Sequence, residues 1–157
     1  MNLRLFEELV KYTSQHSDTF DMRYSTVASE LLSQGGIDFI LEHGFAHRDP
    51  YASRVPEDPK NFILLDVGFE NPEVYDLLEF ENLARIGIAE NTTYRTIARS
   101  AVNAWLNSKG HRGLIENNEK KGTVIFGISS VYNAQTRSVD IVLSHSVLCR
   151  SYKSNPD

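Results

Sequence analysis

Cysteine is almost missing. Cys149 stands alone, so no disulfide can form within the chain. A single cysteine at the end of an apolar run reads first as a small buried residue and only second as a reactive thiol. Positive charge is also scarce. Lysine and arginine total 16 against 21 aspartates and glutamates, a net charge of −5. That balance argues against a nucleic-acid partner, which calls for a basic face. No apolar run approaches the length of a membrane span, so no transmembrane segment is expected. The opening stretch MNLRLFEELVKY carries Glu7 and Glu8 inside its apolar part, so it is not a signal peptide, and an exported form would have lost its leader. Glycine-rich phosphate loops, nucleophile elbows, Cys-x-x-C pairs and His-Glu-x-x-His motifs are missing as well. The familiar nucleotide-binding, hydrolase and zinc-finger patterns are thereby set aside.

What is present suits one globular domain over residues 1–157, with 41% hydrophobic residues and enough chain to bury a core. Leu5, Phe6, Leu9 and Val10 form a helical stripe within residues 3–14. A second helix is expected after Ser25, a good N-cap. Gly35 and Gly36 weaken its centre, which predicts a kink or two short helices. Residues 44–60 hold three prolines and no period, and read as a long surface loop, a common place for function. FILLDVGF (62–69) reads as a buried strand. NPEVYDLLEFENLARI reads as a short helix after the Asn71-Pro72 start signal. The clearest element is the helix carrying Tyr94, Ile97, Ala98, Ala101, Val102, Trp105 and Leu106 on one face. Thr92 or Thr93 can cap it, and Gly110 can end it. GTVIFGISS and SVDIVLSHSVL flank YNAQTR as an antiparallel hairpin, with Val139, Ile141, Leu143, His145 and Val147 sharing one face. The predicted class is α+β, with helices packed on a mainly antiparallel sheet.

Several residues could carry chemistry. His111 follows directly on the glycine that ends the long helix, where a fixed backbone can aim an imidazole. Equally, His111 and Arg112 suit a helix C-terminus through the dipole alone. His43 and His47 are spaced to share a metal on a helix, but Gly44 and Asp49-Pro50 end the helix between them, which favours a surface pair with no common ligand. Glu81 lies either on an exposed helical edge or turned into a polar pocket. His145 alternates with aliphatic residues and reads as a core histidine before a ligand. Arg112 could pair with a carboxylate or an anionic ligand.

In chain order, GFAHRDP around His47, FENLARIG around Glu81, AVNAWLNSKGHRGLI and GTVIFGIS resemble motifs of the CAP superfamily. That superfamily holds the cysteine-rich secretory proteins, antigen-5 allergens, plant pathogenesis-related proteins and bacterial SCP-like domains. The third motif is the specific one, with Trp105, Asn107, Ser108, Gly110, His111 and Arg112 at matching spacing. The resemblance runs over residues 25–148. Phe80 replaces the usual glycine before the family glutamate, and Lys109, Gly113 and Leu114 also depart from the pattern. Ser108 stands about where many eukaryotic members have a second glutamate. The chain is thus similar to a divergent bacterial member.

The resemblance implies a three-layer α-β-α sandwich. It also implies a cleft holding His47, Glu81 and His111, with Ser108, Arg112 and His145 as secondary candidates. In several family members such a cleft holds a divalent ion such as zinc. Two imidazoles and a carboxylate make a three-ligand site with an open position for water. The absent second glutamate removes an obvious general base, leaving Glu81 as the catalytic candidate if the chain hydrolyses anything. The expected function is therefore a CAP-like binding module, extracellular or periplasmic, that takes a metal and a small apolar ligand or peptide. A metal-assisted hydrolase and a non-catalytic scaffold with a vestigial cleft are the alternatives.

Overall fold

The computed structural model describes Leu5, Glu7, Glu8 and residues 21–48, 51–107 and 122–151, with the side chain of Leu106 left aside. A five-stranded mixed sheet runs in the order β1-β4-β5-β3-β2. Its strands are β1 (Asp21–Tyr24), β2 (Ser53–Arg54), β3 (Tyr75–Gly87), β4 (Thr123–Asn133) and β5 (Ser138–Arg150). Only β1 and β4 run parallel, and every other neighbouring pair is antiparallel. The expected β4–β5 hairpin is present, joined through Arg137 in the left-handed region (φ 48°).

Strand alternation splits the sheet into two faces. On one, Val124, Phe126, Ile128, Val139, Ile141, Leu143 and Ala84 pack against Leu5 and a helix, α4 (Tyr94–Asn107). Ile97, Ala98, Ala101, Val102 and Trp105 of α4 are all buried there, as their helical spacing predicts. Thr93 caps α4 by accepting from Thr96 N at 3.2 Å, and Thr92 closes the preceding turn on Ala89. On the other face lie α1 (Thr26–Ala28), a π-helical turn (Ser29–Ser33), α2 (Gln34–His43) and α3 (Glu57–Asp66). They cover Leu77, Leu83, Ile125 and Val142. The result is α+β in three layers. Leu5 is fully buried against α4, and the rest of its predicted stripe lies outside the described residues.

Two assignments are corrected. Residues 62–66 belong to α3 and are not a strand. The run FILL looked uniformly buried, but Ile63 and Leu64 face the core while Phe62 and Leu65 are exposed, which is helical spacing. Residues 75–87 form β3 and not a helix, because the Asn-Pro signal opens only a 3-10 turn, Pro72–Val74. The predicted long loop accordingly shrinks, since β2 and the first turn of α3 occupy part of it.

The predicted disturbance of the second helix is real, but it falls just before the glycines. Ser25 caps α1, accepting from Ala28 N at 2.9 Å while donating to Asp66 at 2.7 Å. Ser29 then donates its hydroxyl to Ser25 O and accepts from Ile128 N, both at 2.9 Å. Such back-bonding bends helices. The turn rests on the sheet at Gly127, where an added Cβ would lie 2.6 Å from the Ala28 carbonyl carbon.

Candidate functional site

The polar row of the α1–α3 face lies on β3 and β5. Glu79, Glu81, Leu83 and Arg85 alternate on β3 and stand opposite Ser146, Ser144, Val142 and Asp140 on β5. β3 is central enough for its carboxylates to be covered, and Glu79 and Glu81 keep only 11% and 6% of their side chains exposed. Buried carboxylates need hydrogen-bond donors. These come from the segment leaving α2.

Gly44 ends α2 at φ +96°, its N–H donating to Ile40 O at 2.8 Å, so the chain turns sharply at a residue suited to positive φ. The segment is then pinned in two places. Arg85 forms a bidentate pair with buried Asp140, Nε to Oδ1 at 2.7 Å and Nη2 to Oδ2 at 3.0 Å, and its guanidinium lies 4.6 Å from the Phe45 ring centre. The Asp140 carboxylate raises the Arg85 pKa further. Next, His47 Nδ1 donates to Glu81 Oε1 at 3.1 Å, and Arg48 N donates to the same oxygen at 3.1 Å. A carboxylate only accepts, so this contact places the proton on Nδ1.

Arg48 completes the arrangement. Its Nη2 lies 3.2 Å from Glu79 Oε1 and 4.0 Å from Glu81 Oε2, and its Nη1 donates to Leu32 O at 3.3 Å. Glu79 Oε1 also accepts from Ser144 Oγ at 3.0 Å. The two glycines of α2 make room. A Cβ on Gly35 would collide with Arg48 Nη1, and a Cβ on Gly36 would sit 3.0 Å from Glu81 Oε2 and 2.8 Å from Val142 Cγ1. Their place in the helix therefore answers to the cleft. Beside these charges opens a cavity of about 520 Å3, with Leu31, Leu32, Pro56 and Pro59 as apolar walls and Arg48, Glu79 and Glu81 on its polar side. Tyr51 lines it while remaining largely exposed.

Of the predicted site residues, the structure brings His47 and Glu81 together across 34 positions of sequence. His145 is elsewhere. It is fully buried on the α4 face, with the Phe126 and Phe80 rings 5.2 and 5.8 Å away. Burial lowers its pKa to about 4. His43 is exposed and stacks on Phe39, as expected of a surface histidine. Ser108, His111 and Arg112 lie outside the described residues, as does Gly110. Cys149 is half-buried, and desolvation raises its pKa, which disfavours a reactive thiolate. Glu79 and Arg48 were not anticipated. Reading residues 75–87 as a strand would have found Glu79, since positions i and i+2 share a face.

Among the described residues no three His, Cys, Asp or Glu side chains converge, and a three-donor metal site would need a ligand from outside them, the place that the resemblance gives to His111. The pair that is present is joined by a hydrogen bond, with the proton on His47 Nδ1 and Glu81 Oε1 accepting from both Nδ1 and Arg48 N. An ion held by these two atoms would have to displace that proton and replace the hydrogen bond. Comparison with family models, curated proteins and solved structures finds no match.

Proposed function

We propose that the chain is a CAP-like binding module, working outside the cytoplasm in the extracellular or periplasmic space. Its cleft holds a divalent ion such as zinc on His47, Glu81 and His111, and a small apolar ligand or peptide occupies the adjoining cavity. The observation that carries this reading is the covered Glu81 carboxylate, hydrogen-bonded to His47 beside an apolar-walled cavity.

The third ligand, His111, rests on the motif resemblance, and the helix that precedes it packs on the opposite face of the sheet from Glu81. Trp105 Nε1 donates to Leu83 O at 2.8 Å, tying the last turns of α4 to β3 two residues from Glu81. His111 follows Asn107, the end of α4, by four residues, and four residues span at most ~14 Å. The localisation rests on the motif resemblance. No helix among the described residues is long and apolar enough to cross a membrane.

Isothermal titration of the metal-free protein with zinc tests the reading. The wild type should bind one ion. His47→Ala, Glu81→Gln and His111→Ala should each weaken binding tenfold or more while the protein stays folded. Wild-type affinity in all three variants, or no binding by the wild type, would overturn the metal site.

A further inference from the structure

We infer that a second cavity, at the N-terminal end of α3, is a binding site for a small amino carboxylate, whose carboxylate is held by the Lys60 ammonium. Neither Glu79 nor Glu81 lines this cavity, and the inference does not rest on the reading given above.

Lys60 shares the inward side of α3 with Ile63 and Leu64 and keeps only 4% of its surface exposed. A lysine ordinarily carries its ammonium out to water. This ammonium has no hydrogen-bond or ion-pair partner among the described residues, and Lys60 lines a cavity of about 340 Å3, a volume that suits a small molecule. A covered charge without a partner is costly, so the position calls for an anion. The start of α3 lies in the same wall. Pro56 is its N-cap and no side chain caps the helix, so the first amides add their partial positive charge.

Carboxylates line the cavity too, and they narrow the choice of anion. Asp76 lies 3.8 Å from Arg54 Nη1, which offsets its charge. Glu57 and Glu73 are exposed and make an acidic rim around a covered cation. Such a rim opposes a phosphate dianion but favours a ligand that carries an ammonium beside its carboxylate. The carboxylate then meets Lys60 inside, and the ammonium meets Glu57 and Glu73 at the mouth. Val55 and Pro56 leave an apolar wall for a short aliphatic side chain.

The test is isothermal titration of the full chain with valine and with two fragments of it, isovalerate, which lacks the amine, and isobutylamine, which lacks the carboxylate. Valine should saturate one site per chain and bind at least tenfold more tightly than either fragment. Lys60→Met keeps a long apolar stem without the charge and should weaken valine and isovalerate binding tenfold or more. Lys60→Gln serves if the methionine variant does not fold, with the same loss expected. The double change Glu57→Gln, Glu73→Gln should weaken valine by about threefold and leave isovalerate no weaker. No saturable binding of valine, equal binding of valine and isovalerate, or unchanged valine affinity in the Lys60 variants overturns the inference. So does inorganic phosphate binding as tightly as valine. Zinc titration reads the other cavity, so the two readings fail separately.

Discussion

The two faces of the sheet are built to different rules. The α4 face is dry and aliphatic, closed by Trp105, Phe126 and the apolar side chains of β4 and β5. Its polar exceptions are His145, shut between aromatic rings, and Asn82, which is fully buried with neither amide atom hydrogen-bonded. The α1–α3 face carries glycines at the closest contacts, and serines, two glutamates and an arginine around a cavity. Side chains that interdigitate without polar atoms give stability. Groups held by hydrogen bonds beside open space can exchange those bonds for a ligand's. One strand, β3, serves both faces at once, with Ala84 toward α4 and Glu81 toward the cleft.

Histidines make the contrast testable. His145 has a folded pKa near 4, below the ordinary value of about 6.5. Between these values the unfolded chain binds the proton and the folded one does not. The stabilising contribution is therefore present above pH ~6.5 and lost as pH falls toward ~4, a change of about 3 kcal/mol. Urea unfolding across that range should show this slope in the wild type. In His145→Leu the slope should be much reduced. Equal slopes in the two proteins would contradict burial of the neutral ring.

A smaller effect is expected on the opposite face. Gly127→Ala places a methyl against the backbone of Ala28 and Ser29, which should cost about 2–3 kcal/mol by overpacking, read as a lower urea midpoint. Trp105→Phe removes the bond to Leu83 O and should cost about 1–2 kcal/mol by the same measurement. Glu81→Gln keeps an acceptor of nearly the same shape and should change stability by less than about 1 kcal/mol, while removing the charge proposed to hold the ion. A large loss of stability in Glu81→Gln would place Glu81 among the packing residues and erase the distinction between the faces.

Much of the architecture was legible because it follows one period at a time. The α4 stripe and the alternation of β5 each match a single geometry. β3 did not, because Leu77, Leu78, Phe80, Leu83 and Ile86 satisfy helical and strand spacing almost equally, and Asn71-Pro72 tipped the reading to helix. That error hid Glu79, whose relation to Glu81 exists only on a strand. It also left open whether Glu81 faced solvent or a pocket. The His47–Glu81 pair was reached through motif resemblance, since nothing in local spacing joins residues so far apart. Gly35 and Gly36 were legible as a disturbance but not as clearance. Only the folded chain shows that Arg48 and Glu81 lie against them.

The most direct test of the division between a packing face and a binding face is to follow both imidazoles by nitrogen-15 NMR while zinc is added to the metal-free protein. The ring nitrogens of His47 should shift and saturate with one equivalent, while those of His145 stay in place. Zinc-dependent shifts at His145 with none at His47 would contradict the account.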